Sequence, residues 1–252
     1  MALPRFLVPD LAANQSIELP ENEAHHASRV LRCNRGDSVT LFDGLGHEGS
    51  AEVTHVDKRY VCVQVGSLSF APKDHNNQLH LAVALPKGDR QRSVIEKLIE
   101  LGVDSLIPLH SARSVALIDE DNSERIHRFA IEACKQSGRN RLMQIRKPMS
   151  LDALLASESA KNRWVLHPNH DQYPILSIPE ATRRQSATVS RELVFCIGPE
   201  GGFTNIEIDT AVQHGATLLT LGDRILRVET AVCTAAILGS LWLQTSSESA
   251  ST

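Results

Sequence analysis

Two glycine-bearing turns constrain this chain more than any other feature. Ile197-Gly198-Pro199-Glu200-Gly201-Gly202-Phe203 follows an apolar run at residues 193–197. Leu221-Gly222-Asp223-Arg224-Ile225-Leu226-Arg227-Val228-Glu229-Thr230 follows a second run at 217–221. Short apolar runs bounded by turn residues read as buried strands, and a helical pattern follows each turn. Two such turns at the carboxyl ends of neighbouring strands make a crevice lined by backbone N–H groups and helix N-termini. Open α/β sheets bind ligands at such a crevice. From Leu79 onward strands alternate with helical patterns, which predicts a mainly parallel sheet with helices on its faces.

The preceding part reads differently. Residues 39–42, 50–54 and 60–65 are short strand candidates in a small β-rich domain. Residues 22–32 are helical, with Ala27, Val30 and Leu31 on one face. Gly44-Leu45-Gly46-His47-Glu48-Gly49 has the G-x-G-x-x-G spacing of a dinucleotide fingerprint. That fingerprint needs a strand before it and a helix opening from it, and here β-type residues lie on both sides, so a hairpin turn is expected. The proline-bearing polar stretch at 70–77 marks a domain boundary, giving domains at 1–72 and 73–245. Asp121-Asn122-Ser123 can cap a helix running to Gly138, and residues 169–191 read as a loop. Thr204-Asn205-Ile206-Glu207 has the form of a capping box. The last helix, at about 229–243, is apolar nearly all round, which implies a buried core element or a subunit interface. Residues 246–252 read as a disordered tail.

Charge sharpens the expectation for a partner. Glu229 suits a helix N-terminus through the helix dipole, but Arg224 and Arg227 at the same positive end call for something negative nearby. A phosphate or an electron-rich base edge would serve. His26, Arg29 and Arg32 form one basic cluster, Lys87 and Arg90 a second, and residues 139–147 a third with four basic residues and no acidic one. A solvated face explains any one of these, but three beside the site loops point to a polyanion such as RNA. The formal net charge of −4 confines that contact to local patches. Five scattered cysteines suggest neither a disulfide framework nor a metal site and fit a cytoplasmic location. His25 and His26 are adjacent, so on a helix they point apart and make a poor metal pair. No apolar run approaches the ~18–20 residues of a membrane span.

The two glycine turns, with Arg224-Ile225-Leu226-Arg227 and Glu229-Thr230, resemble the signature of the RsmE-type ribosomal RNA methyltransferases. His26 with Val30-Leu31-Arg32, Lys87-Gly88-Asp89-Arg90 and Gly138-Arg139-Asn140-Arg141 resemble further blocks of that family, in the same order along essentially the whole chain. The resemblance implies an N-terminal PUA-like β-barrel that helps bind RNA. It also implies a C-terminal α/β SPOUT domain whose last segment threads a trefoil knot. It further implies a homodimer that uses S-adenosylmethionine to methylate N3 of a uridine in 16S ribosomal RNA of the small ribosomal subunit. By position, Leu166, His167, Ile197, Gly198, Pro199, Glu200, Gly201, Leu221, Gly222, Ile225 and Leu226 would hold the cofactor. Gly201 would keep the backbone close to it, so that a larger residue there would intrude. Arg227 would stabilise negative charge on a carbonyl of the target base, and Glu200 would act as a base or fix an arginine. His26, Arg29, Arg32, Lys87, Arg90, Arg139 and Arg141 would contact RNA. Two positions depart from the family pattern: Lys135 stands where glutamate is frequent, and Val228 where threonine is frequent. A non-catalytic RNA-binding assembly factor is the rival reading, and binding of S-adenosylmethionine separates the two.

Overall fold

Alternating apolar residues build the first of two sheets. The computed structural model describes residues 3–57, 59–71, 78–115, 118, 120–157, 162–168 and 192–248. The expected loop at 169–191, linker residues 72–77 and the end of the expected tail, 249–252, lie outside them. Contacts divide the chain into one unit of Met1–Asp74 with Ile131–Leu142, and another of His75–Ala130 with Met143–Thr252.

In the first unit the strands are β1 (Arg5–Leu7), β2 (Ser16–Glu18), β3 (Ser38–Phe42), β4 (His47–Val56) and β5 (Val61–Phe70), ordered β1-β3-β4-β5-β2. β4 and β5 run longer than their apolar cores suggest. Their pairing is interrupted by irregularities at Gly49/Ala51 and Val53/His55, and such bulges are hard to read from a pattern of period two. Val61, Val63 and Val65 point inward with Val53, Leu41 and Phe6, as the pleat dictates. The glycine-rich motif at 44–49 joins antiparallel β3 to β4 as a hairpin.

Helix α1 (Glu21–His25) passes into a π-helical turn, His26–Val30. The wider turn rotates the expected apolar face. Ala27 is buried, but Val30 and Leu31 are 63% and 43% exposed. Beside this turn Lys135 lies 2.8 Å from Glu23 and 2.9 Å from Glu132, and the Lys135 and Glu23 side chains are 6% and 2% exposed. Burial pushes the Glu23 carboxyl above its ordinary pKa, against the opposing pull of Lys135. Lys135 therefore neutralises a buried carboxylate. Removing either partner of such a pair costs about 3–5 kcal/mol.

The second unit holds β6 (Gln78–Val83), α2 (Asp89–Glu100), β7 (Ser105–His110), β8 (Gln144–Ile145), β9 (Met149–Ser150), α4 (Leu151–Ala156), β10 (Asn162–Leu166), β11 (Glu192–Ile197), α5 (Asn205–Gln213), β12 (Thr217–Leu219) and α6 (Val228–Glu248). Between β7 and β8 runs α3 (Glu120–Ser137), whose residues are shared between the units. Its first turn already contains 121–123, so those residues do not precede the helix as caps. Every strand pair is parallel, in the order β12-β10-β11-β6-β7-β8 with β9 beside β7. β6 and β11 are buried almost throughout, as a parallel sheet covered on both faces requires.

One expectation is corrected here. The strands that lead into the two glycine turns are not neighbours, because β10 lies between β11 and β12. The last helix, expected to be a core element or a subunit interface, is buried on one face. Ala231, Val232, Ala235, Ala236, Trp242 and Leu243 face inward, while Ile237 and Leu241 are 48% and 52% exposed. α6 leaves the sheet edge after β12 and packs back over β6, β11 and α2. It continues helical through Ser246 to Glu248, where the composition suggests a tail.

Candidate active site

Three loops, not two, meet at the carboxyl ends of β10, β11 and β12. They enclose a cavity of about 220 Å³, at the small end of ligand pockets, which usually hold ~300–1,000 Å³. Leu166, His167 and Pro168 line it from the first loop, Ile197 to Phe203 from the second, and Thr220 to Leu226 with Val228 and Ala231 from the third, Asp223 excepted. The walls are largely apolar. Val228 is 4% exposed and belongs to this wall.

Local sequence sets the shape of the middle loop. Phe203 is buried in the core with Val165, Val194 and Cys196, and its ring lies against Gly198. A Cβ on Gly198 would sit 3.2 Å from that ring and 3.3 Å from the Phe203 backbone nitrogen, so a side chain there would press on the packed ring. Thr204 and Glu207 form the expected capping box at the start of α5. The other oxygen of Glu207 accepts from Ala112 N at 2.9 Å, tying this loop to the one after β7. From that same loop Arg113 donates to the Gly201 carbonyl at 2.6 Å. A Cβ on Gly201 would meet the Arg113 side chain at 3.2 Å. Gly201 thus makes room for an arginine while its backbone lines the cavity.

Charge gathers on one side. Arg90, in the first turn of α2, is 2.7 Å from Glu200 and 3.8 Å from Glu229. The second oxygen of Glu229 is buried without a hydrogen-bond partner among the described residues. So is Nδ1 of His167, whose backbone N–H is held by Leu219 at 2.8 Å. Burial pushes the His167 imidazole below its ordinary pKa, keeping it neutral. Cys196 beneath the cavity is fully enclosed, and burial pushes its thiol up to about 12, which makes it inert.

All eleven residues expected at the cofactor line the cavity: Leu166, His167, Ile197, Gly198, Pro199, Glu200, Gly201, Leu221, Gly222, Ile225 and Leu226. Arg227 does not; it is exposed, and its carbonyl accepts from Thr230 N and Ala231 N to start α6. Arg224 lines the cavity instead. Arg90 is drawn to Glu200, and Lys87 is exposed just before α2. The remaining basic residues lie in the first unit. Arg29 and Arg32 are exposed, His26 is 4.0 Å from Glu132, and Arg139 and Arg141 follow α3. Arg113 and the second tie of Glu207 escape sequence reading. The signal available was position: Ser111-Ala112-Arg113-Ser114 directly follows β7, and ligand loops sit at strand carboxyl ends.

A family model described as an RNA methyltransferase domain matches residues 73–239, and one described as an RNA methyltransferase PUA domain matches 19–66. The ribosomal RNA small subunit methyltransferase E of Bacillus subtilis is 32% identical over 218 residues, 83% of each chain. Its namesake from Rickettsia conorii is 32% identical over 231 residues, 89% of each. Among solved structures, ribosomal RNA small subunit methyltransferase E from Neisseria gonorrhoeae, bound to S-adenosyl methionine, superposes with a TM-score of 0.82 at 29% identity, covering 96% of this chain and 98% of that one. A Legionella pneumophila chain in complex with the bound cofactor SAM gives 0.84 at 31% identity, covering 97% and 98%.

Proposed function

The chain belongs to the RNA methyltransferase family, and on that premise we propose that it transfers a methyl group from S-adenosylmethionine to N3 of a uridine in 16S ribosomal RNA of the small subunit. The observation that carries this reading is the cavity itself, formed by loops from three parallel strands and lined by every residue expected at the cofactor.

The residues present suit the cofactor. Leu166, Ile197, Leu221, Ile225 and Leu226 offer apolar walls to an adenine ring, while His167 and the loop backbone offer its polar edges. When bound, the cofactor supplies an electrophilic methyl on sulfur. The protein's own task is to orient the base and favour loss of its N3 proton. Arg227 stands exposed at the positive end of α6, where guanidinium and helix dipole together favour an oxyanion on the flanking carbonyl. The ion pair with Arg90 supports Glu200 as an anchor for that guanidinium, not as the proton acceptor. The basic residues His26, Arg29, Arg32, Lys87, Arg139 and Arg141 would hold the RNA backbone while the base leaves its stack.

We also propose a PUA-like RNA-binding domain at 1–72, a methyltransferase domain at 73–245 and a cytoplasmic homodimer. The return of α6 from the sheet edge over β11 and β6 supports a knotted C-terminus. Exposed Ile237 and Leu241, one turn apart on α6, support a subunit contact there. Titration calorimetry with S-adenosylmethionine tests the reading. Micromolar binding to the purified protein is expected. An RNA-binding protein without affinity for that cofactor would instead be the assembly factor.

A further inference from the structure

The glycine motif at 44–49 is not a nucleotide site, yet it builds a surface whose residues are not among those lining the cofactor cavity. Within the first unit, the β3–β4 hairpin, the end of β5 and the segment after α3 are stitched together. Ala71 N donates to the Gly46 carbonyl at 3.0 Å, Leu142 N to the Gly44 carbonyl at 2.9 Å, and the Asn140 amide to Gly46 O at 3.1 Å. Gly46 is glycine for a local reason: its φ of 120° lies in the region that favours glycine, and a Cβ there would lie 3.0 Å from the Ala71 carbonyl and 3.1 Å from the Phe70 ring. The hairpin is therefore fitted closely to the end of β5, with the Arg141 guanidinium alongside.

The same hairpin fixes a second ring. One oxygen of buried Asp43 accepts from the backbone nitrogens of Leu45, Gly46 and His47 at 2.7, 2.9 and 3.0 Å. Its other oxygen lies 2.6 Å from His47 Nδ1. That contact holds the imidazole against Phe70, with ring centroids 4.6 Å apart and planes tilted by 39°. Such ordered rings are normally covered in a folded protein. Here Phe70 is 53% exposed, the adjoining Leu45 65%, and the His47 side chain 46%.

We propose that His47 and Phe70, flanked by Leu45 and Arg141, form a stacking platform for an unpaired nucleobase of the RNA substrate. Single-stranded RNA is recognised by aromatic, histidine and arginine planes that stack on splayed bases, with cationic groups gripping the backbone alongside. Arg141 supplies that charge within hydrogen-bond reach of the strand end at Ala71 O, 3.5 Å away. The nearest exposed carboxylate on the hairpin, Glu48, is neutralised by Arg5 at 3.1 Å. The surface thus pairs exposed rings with a guanidinium, while the Asp43 carboxylate is buried beneath them and taken up by His47 and three backbone N–H groups, which suits RNA better than an apolar protein partner. The inference rests on the RNA-substrate reading above and assigns one contact within it.

The test uses the full-length protein and a fluorescein-labelled, unstructured twelve-nucleotide RNA, read by anisotropy. Phe70→Ala and His47→Ala should each weaken binding about tenfold, while His47→Phe keeps it within about twofold. Calorimetric affinity for S-adenosylmethionine should not move in any of them. As a readout independent of variant folding, wild-type protein irradiated with the same oligomer carrying 4-thiouridine should cross-link at the peptides containing His47 or Phe70. Tight RNA binding by the wild type that neither alanine variant weakens, or cross-links confined to other peptides, overturns the platform while leaving the methyltransferase reading intact. Loss of the dimer in sedimentation with RNA affinity unchanged would assign the surface to a second copy of the chain and also overturn it. A wild type that binds neither the oligomer nor the cofactor would sink the functional reading itself.

Discussion

Arg113 donates to the Gly201 carbonyl at 2.6 Å, so a loop from the far side of β6 clamps the turn that follows β11. Arg113 is exposed and carries little of the fold. Arg113→Ala should leave the melting temperature within a degree or two and weaken S-adenosylmethionine binding about fivefold, for about 1 kcal/mol of lost hydrogen bonding. Unchanged calorimetric affinity would show that the clamp does not shape the cavity.

Gly198 and Gly201 should behave differently despite sharing one turn. A methyl group on Gly198 meets the Phe203 ring and backbone, which are buried and must shift by a few tenths of an ångström. Gly198→Ala should cost about 1–3 kcal/mol in denaturant unfolding and abolish cofactor binding. At Gly201 the obstacle is the flexible Arg113 side chain, so Gly201→Ala should cost less than half as much. Equal losses would mean that the turn moves as one body.

Arg90 and Glu200 are 47% and 36% exposed, so their ion pair contributes about 0–1 kcal/mol to stability. As an anchor pair they should fail together. Arg90→Ala and Glu200→Gln are expected to slow methyl transfer by similar factors, with the double variant no slower than either single one. A proton acceptor at Glu200 predicts another pattern, in which Glu200→Gln alone costs ~100–10,000-fold.

His167 supplies a pH test with a definite sign. Its folded-state pKa is depressed by burial, so folding favours the neutral ring. The stability it contributes is present above its unfolded pKa, near ~6.5, and is lost as pH falls through the lower folded value. The melting temperature of wild type relative to His167→Asn should be constant from pH 8 to 7 and fall below pH 6.5. A flat difference down to pH 5 would place the imidazole in contact with water.

The sequence revealed the site better than it revealed the sheet. Gly198 and Gly222 follow apolar runs directly, and such local punctuation survives folding. The pairing order does not, because β10 enters between β11 and β12 through contacts distant in sequence. That is why a two-loop crevice proved to have three walls. Val30 and Leu31 leave the face that their spacing predicts because a π-helical turn breaks the 3.6-residue period on which face assignments rest. Ile237 and Leu241 are apolar yet exposed, since hydrophobicity records the need for cover without saying which chain provides it. Arg113 carries no motif at all; only the fold brings it to Gly201.

The most direct test of the central claim is methyl transfer from labelled S-adenosylmethionine to unmodified small ribosomal subunits, with the product nucleoside identified by mass spectrometry. Wild type should yield 3-methyluridine, and Arg227→Ala, folded and still able to bind cofactor, should lose at least about a hundredfold in rate. No methylated nucleoside from cofactor-bound wild type, or near-normal turnover by Arg227→Ala, would contradict the account.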